Sequence, residues 1–68
     1  MKKGKYLHYK GNYYEVIDVA KNTETMEDYV IYRALYGEFG LWVRPKAMFE
    51  EMVVIDGVKQ PRFRYNGE

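Results

Sequence analysis

The string Trp42-Val43-Arg44-Pro45 carries the residue types best suited to recognition in this chain. Trp and Arg are the commonest anchors of binding surfaces. Residues two apart in a strand share a face, so an indole and a guanidinium stand side by side. The guanidinium can stack on a ring and still present its fork to a carboxylate or phosphate. The competing reading is structural: Trp42 plugs one end of the core and Arg44 ties down a polar loop through Glu24. His8 is the sole histidine. It is the one side chain whose unperturbed titration falls near neutral pH. As a general base it would need Glu15, Asp18 or Glu24 to orient it, and Thr23, Thr25 or Tyr9 as nucleophile. Such groupings are defined by geometry, which spacing does not fix. Between Tyr6 and Tyr9, His8 reads first as a partly buried, hydrogen-bonded residue.

Thr23-Glu24-Thr25 lies in the longest irregular stretch. Three short polar side chains on a loop can cradle a ligand, or close the loop on itself through local turns. Tyr6, Tyr36 and Phe39 stand at or beside turns, where burial is less assured than in mid-strand. Asp18 lies between Ile17 and Val19. A carboxylate there either marks a bulge and accepts backbone N–H groups, pairs with Arg33 or Arg44, or faces water at a rim. With one His and no Cys, the ligand count excludes a zinc site, and no cofactor is expected.

The elements that must hold these residues are strands. The chain has 68 residues, among them eight Tyr, three Phe and one Trp. The rings fall in short alternating runs rather than helical stripes. Tyr6 to Tyr9 reads as a strand, Lys10-Gly11-Asn12 as a turn, and Tyr13 to Ala20 as the longest strand. Neither face of that strand is cleanly polar, which predicts a bulge that changes the buried face. Lys21 to Asp28 reads as a loop, Tyr29 to Ala34 as a third strand and Leu41 to Arg44 as a fourth. Pro45 opens one helical turn over Lys46 to Glu51, with Met48, Phe49 and Met52 inward. Met52 to Ile55 is the fifth strand, turned by Asp56-Gly57. Pro61 ends the last extended piece, and Phe63 folds back. This predicts an all-β domain over residues 1–68, with 1–4 and 65–68 frayed. The architecture is a small SH3-like barrel of about five strands with one short helical turn. An open sheet with a packed short helix is the alternative.

Several strings, taken in order, resemble a known family. They are His8-Tyr9-Lys10-Gly11-Asn12, Thr23-Glu24-Thr25 with Tyr32 and Leu35-Tyr36-Gly37 downstream, Leu41-Trp42-Val43-Arg44-Pro45 with Met48-Phe49, and Pro61-Arg62-Phe63. The family consists of small, mostly bacterial domains of unknown function, and the likeness spans nearly the whole chain. It implies a compact, mostly β domain and no particular activity.

Net charge is +1, from 11 Lys+Arg against 10 Asp+Glu. That balance does not favour nucleic acid as a partner. A charged lead over Met1 to Lys5 lacks the apolar stretch of a signal peptide, and no segment reaches membrane-spanning length. A cytoplasmic protein is expected. The leading functional reading is a non-enzymatic binding module for a peptide or small ligand. Its surface would be built from Tyr6, His8, Tyr36, Trp42 and Arg44, with the Thr23, Glu24 and Thr25 loop nearby. Two alternatives stand beside it. One is single-stranded nucleic-acid binding through rings interleaved with Lys5, Lys10, Arg62 and Arg64. The other is a small hydrolase using His8 and a carboxylate. The chain is a monomer or a homodimer on this reading.

Overall fold

Alternating rings and β-branched residues build a sheet, and turn residues cut it into short strands. In a computed structural model, residues 1–67 are described. The elements in chain order are β1 (Gly4–His8), β2 (Tyr13–Lys21), β3 (Asp28–Ala34), β4 (Leu41–Pro45), α1 (Lys46–Phe49), β5 (Met52–Ile55), β6 (Val58–Pro61) and β7 (Phe63–Tyr65). Five strands form one antiparallel sheet in the order β4-β3-β2-β1-β7, and β5 pairs with β6 in a separate ribbon. Among the described residues, no helix is long and apolar enough to cross a membrane.

The expected barrel does not close. β4 and β7 are the two edges of an open sheet, with a short helix packed on one face. The strands that would have to bridge those edges, β5 and β6, pair only with each other. Seven strands replace the expected five, because Val58 to Pro61 and Phe63 to Tyr65 each form a strand of their own. Gly4 and Tyr65, expected to fray, lie in β1 and β7, and Tyr65 stands opposite Tyr6. Glu68 lies outside the described residues.

The mixed faces of β2 have a physical explanation in its register. Pairing with β3 shifts between Val16 and Asp18, so one extra residue is inserted there. Without the insertion, Val16 and Val19 would point to opposite faces. With it, both meet the core. Asp18 marks the bulge: its Oδ1 accepts the Val19 N–H at 2.8 Å and sits 3.6 Å from Lys3 Nζ, in water. The backbone bond, then Lys3, holds its carboxyl below the usual range.

The core is Tyr6, Val16, Val30, Tyr32, Phe49 and Phe63, with Tyr14 and Val19 packed beside it. Pro45 is the cap of α1 in extended backbone (φ −52°, ψ 135°), one position earlier than expected. The helix is a single turn, so only Phe49 reaches inward. Met48 and Met52, expected inside, are exposed.

Asp56-Gly57 makes the expected two-residue hairpin, with φ of 51° and 78°. Both residues are left-handed, as a type I′ turn requires. An added Cβ at Gly57 would meet nothing within 4 Å. A side chain there therefore costs backbone strain alone, about 1–2 kcal/mol. Gly57→Val is expected to speed amide exchange in β5 and β6 roughly tenfold while the five-stranded sheet keeps its protection. Equal acceleration in both sheets would contradict this.

Candidate functional site

Strand register gathers one aromatic cluster on the core side of the β4 edge. Tyr32 on β3 stands opposite Trp42 on β4, Val30 opposite Arg44, and Val16 on β2 opposite Tyr32. Tyr14 lies two residues before Val16, on the same face. The turn after β3 then returns Tyr36 over Tyr14. That turn needs left-handed backbone at Gly37 and Phe39 (φ 59° and 55°), and Arg33 Nη1 pins it by donating to the Phe39 carbonyl at 2.8 Å. Gly40 supplies clearance, since a Cβ there would lie 3.3 Å from the indole Nε1 of Trp42.

The result is a cleft of about 200 Å³ lined by Tyr14, Tyr32, Tyr36, Trp42 and Arg44. The Tyr14 and Tyr36 hydroxyls hydrogen-bond to each other at 2.7 Å, with their rings edge to face. Arg44 Nε donates to the Tyr32 hydroxyl at 3.2 Å, and its guanidinium lies 5.8 Å from the Phe63 ring centre. No ion pair to Arg44 is found among the described residues; the four present join Lys3–Asp18, Lys21–Asp28, Lys46–Glu50 and Arg62–Glu51. Trp42 is 57% exposed, so it lines the cleft and does not plug a core.

Of the residues singled out in the sequence, Tyr36, Trp42 and Arg44 meet in this cleft. Tyr6 does not: its ring is buried against Phe49 and Tyr65, and its hydroxyl donates to the Lys2 carbonyl at 2.7 Å. Thr23, Glu24 and Thr25 are absent from the lining. Asn22 Oδ1 accepts the N–H groups of Glu24 and Thr25 at 2.8 and 3.2 Å, and Thr25 Oγ1 accepts that of Glu27 at 3.2 Å. The loop closes on itself, with Met26 left-handed at φ 64°.

His8 packs its ring against Tyr9, Tyr14 and Phe63, at the back of the cleft rather than in it. Its Nδ1 accepts the Lys10 N–H at 3.2 Å. Burial, then the charges of Arg44, Arg62 and Lys10, push its pKa down. No carboxylate hydrogen-bonds to it among the described residues. Tyr14 and Tyr32 line the cleft but were not among the candidate site residues in the sequence. The signal was present: both share a strand face with core valines, one step nearer the sheet edge.

A family model for proteins of unknown function, DUF1653, matches residues 4–65. The chain belongs to the DUF1653 family. It is also similar to the crystal structure of a DUF1653 protein from Bordetella bronchiseptica. That match has 36% identity and a TM-score of 0.90, and covers 98% of this chain and 88% of the other. No curated protein matches the chain. Membership in DUF1653 agrees with the resemblance carried by the sequence motifs and assigns no activity.

In this DUF1653 cleft the hydroxyls are donors. Burial, then the Tyr36 hydrogen bond, pushes the Tyr14 phenol up to about 12 from 10.0. It therefore keeps its proton at neutral pH. Within the Tyr14–Tyr36 pair one hydroxyl donates and the other retains a proton to offer. Tyr32 accepts from Arg44 Nε, and a hydroxyl that accepts can donate as well. A raised folded-state pKa gives stability that is whole below pH 10 and lost as pH climbs toward 12. Tyr14→Phe is expected to flatten that loss. Urea midpoints at about pH 9 and about pH 11 check it, and an equal drop in parent and variant would refute it.

Proposed function

We propose that the chain is a non-enzymatic binding module whose cleft takes one carboxylate, carried by a peptide or a small ligand. The observation behind this reading is Arg44: a guanidinium with no acidic partner among the described residues, set beside Trp42 and three tyrosines. Its two terminal nitrogens and the free hydroxyl protons are all donors, so the cleft suits an acceptor-only group. Size narrows the choice. Sites for drug-sized molecules run from roughly 300 to 1,000 Å³, and this one is about 200 Å³. It holds a single group, with the remainder of the ligand outside along the indole. One guanidinium suits a singly charged carboxylate, whereas phosphate recognition calls on clusters of arginines. A bacterial, cytoplasmic setting goes with this reading, supported by the Bordetella relative and the cysteine-free chain.

Trp42 is the only Trp and lines the cleft, so its fluorescence reports occupancy. Titration with short peptides and with small aromatic acids, each as free acid and as amide, tests the reading. The acids are expected to shift the emission saturably and the amides not. A saturating peptide with silent small acids identifies the peptide as the source, and the reverse identifies the small ligand. Equal responses from acid and amide would end the proposal. So would an oligonucleotide that binds at low salt while every acid fails.

A further inference from the structure

The β4 edge carries a separate inference, independent of the carboxylate reading. We infer that two copies of the chain pair antiparallel through β4, with Val43 on the two-fold axis, to make one continuous ten-stranded sheet. Edges are normally blunted by short length, charge, bulges or cover. β7 follows that rule: it has three residues, with Arg64 at its centre. β4 carries Arg44 and Pro45 at its end, but its first three residues, Leu41, Trp42 and Val43, are uncharged, consecutive and 56%, 57% and 62% exposed. Phe39 and Tyr36, in the turn before β4, are exposed as well.

Backbone phase fits a partner strand. The Ala34 N–H donates to the Gly40 carbonyl at 2.9 Å. In an antiparallel ladder this alternates, so residues 40, 42 and 44 turn their peptide groups toward β3. Leu41, Val43 and Pro45 turn theirs to the free edge. The midpoint of Leu41–Pro45 is Val43, so centring there overlaps the whole strand with itself. Val43 then exchanges both bonds with its copy. Each Leu41 N–H donates to the Pro45 carbonyl opposite; proline has no N–H to return, so the Leu41 carbonyl at each end of the seam is left to water.

Side-chain chemistry selects the same register. Trp42 falls opposite Arg44 of the other copy, at the non-hydrogen-bonded positions where side chains approach most closely. Indole and guanidinium attract there, twice across the axis. Leu41 meets Pro45, and Val43 meets Val43, on the other face. Leu41, Trp42 and Val43 are each more than half exposed and are partly covered by the pairing, a small seam beside specific interfaces, so the dimer is expected to be weak. The two clefts become neighbours across the axis, each with Trp42 facing its counterpart's Arg44.

Sedimentation equilibrium of the full chain is expected to show a concentration-dependent dimer. Val43→Lys sets two ammonium groups together on the axis and is expected to weaken it at least tenfold, with the urea midpoint of dilute, monomeric protein unchanged. The chain has no cysteine, so single cysteines report geometry. Paired residues at Val43 lie about 5.5 Å apart by Cα, within disulfide range. Val43→Cys is therefore expected to cross-link under mild oxidation. Leu41→Cys would place its thiols roughly 14 Å apart along the strands and is expected not to link. Val54→Cys, exposed on β5, is the background control. A monomer at every accessible concentration overturns the proposal. So does a Val43→Cys rate no greater than those of Leu41→Cys or Val54→Cys.

Discussion

Phe49→Ala is expected to leave no cooperatively folded protein at room temperature. Phe49 is 1% exposed. It stacks on Phe63 with ring centres 4.0 Å apart and planes 3° from parallel. Tyr6 and Tyr32 meet it edge-on at 5.4 and 5.5 Å. Truncating a buried Phe to Ala costs about 3–5 kcal/mol. A chain of this length has on the order of 3–10 kcal/mol in total, at about 0.05–0.15 kcal/mol per residue. The loss is comparable to the whole. The helix cannot relax into the gap, because Phe49 is its only inward side chain and Pro45 fixes its start. Near-ultraviolet circular dichroism with urea unfolding is the measurement. Val54→Ala, at an exposed position on β5, is the control and is expected to move stability by less than about 0.5 kcal/mol. A Phe49→Ala protein with a urea transition like that control would mean the core is not organised around this ring.

The same residue shows where the sequence was readable and where it stopped. Phe49 was legible as inward because Pro45 sets the helix start and fixes which residue faces the sheet. Met48 and Met52 were not, because a full amphipathic stripe needs more than one turn. The bulge in β2 was legible from apolar residues at both Val16 and Val19. The open sheet was not decided by residue pattern. Alternation specifies which face is buried, and it is silent on whether an edge finds another edge. β5 reads as a barrel strand, yet Met52, Val54 and Ile55, with Val58 on β6, are exposed on a ribbon.

Site residues divide along a similar line. Trp42 and Arg44 were legible because they share a strand face two positions apart. Tyr36 followed from its place beside a turn. Tyr6 was misplaced because pairing on both sides, to Tyr14 and Tyr65, puts it mid-sheet. The Thr23 to Thr25 loop looked equally fit for ligand or turn, and Asn22 decides it by taking two of the loop's N–H groups. Tyr14 and Tyr32 depend on a contact 22 residues apart and another 12 apart, which local pattern does not reveal.

Arg44→Gln is expected to weaken carboxylate binding by roughly 10- to 100-fold with little change in stability. A hydrogen bond to a charged group contributes about 1.5–3 kcal/mol, and about 1.4 kcal/mol is tenfold in affinity. Gln keeps an amide donor and much of the side-chain length but loses the charge and the fork. Arg44→Lys keeps the charge and loses the fork, so an intermediate loss of roughly tenfold is expected. Tyr32→Phe removes the acceptor that holds Nε. The guanidinium then swings free, and binding weakens although the charge is untouched. The order parent, then Lys or Phe, then Gln is the signature of a positioned fork rather than a general positive field. Salt gives a second reading: the field of an exposed cation is screened within about 10 Å at 0.1 M, whereas a half-enclosed pair is screened less. Titration of Trp42 fluorescence at dilute protein, where the chain is monomeric, keeps this separate from pairing through β4. If Arg44→Gln binds free acids as tightly as the parent, the guanidinium belongs to the Tyr32 hydroxyl and the Phe63 ring alone, and the cleft is packing rather than a site.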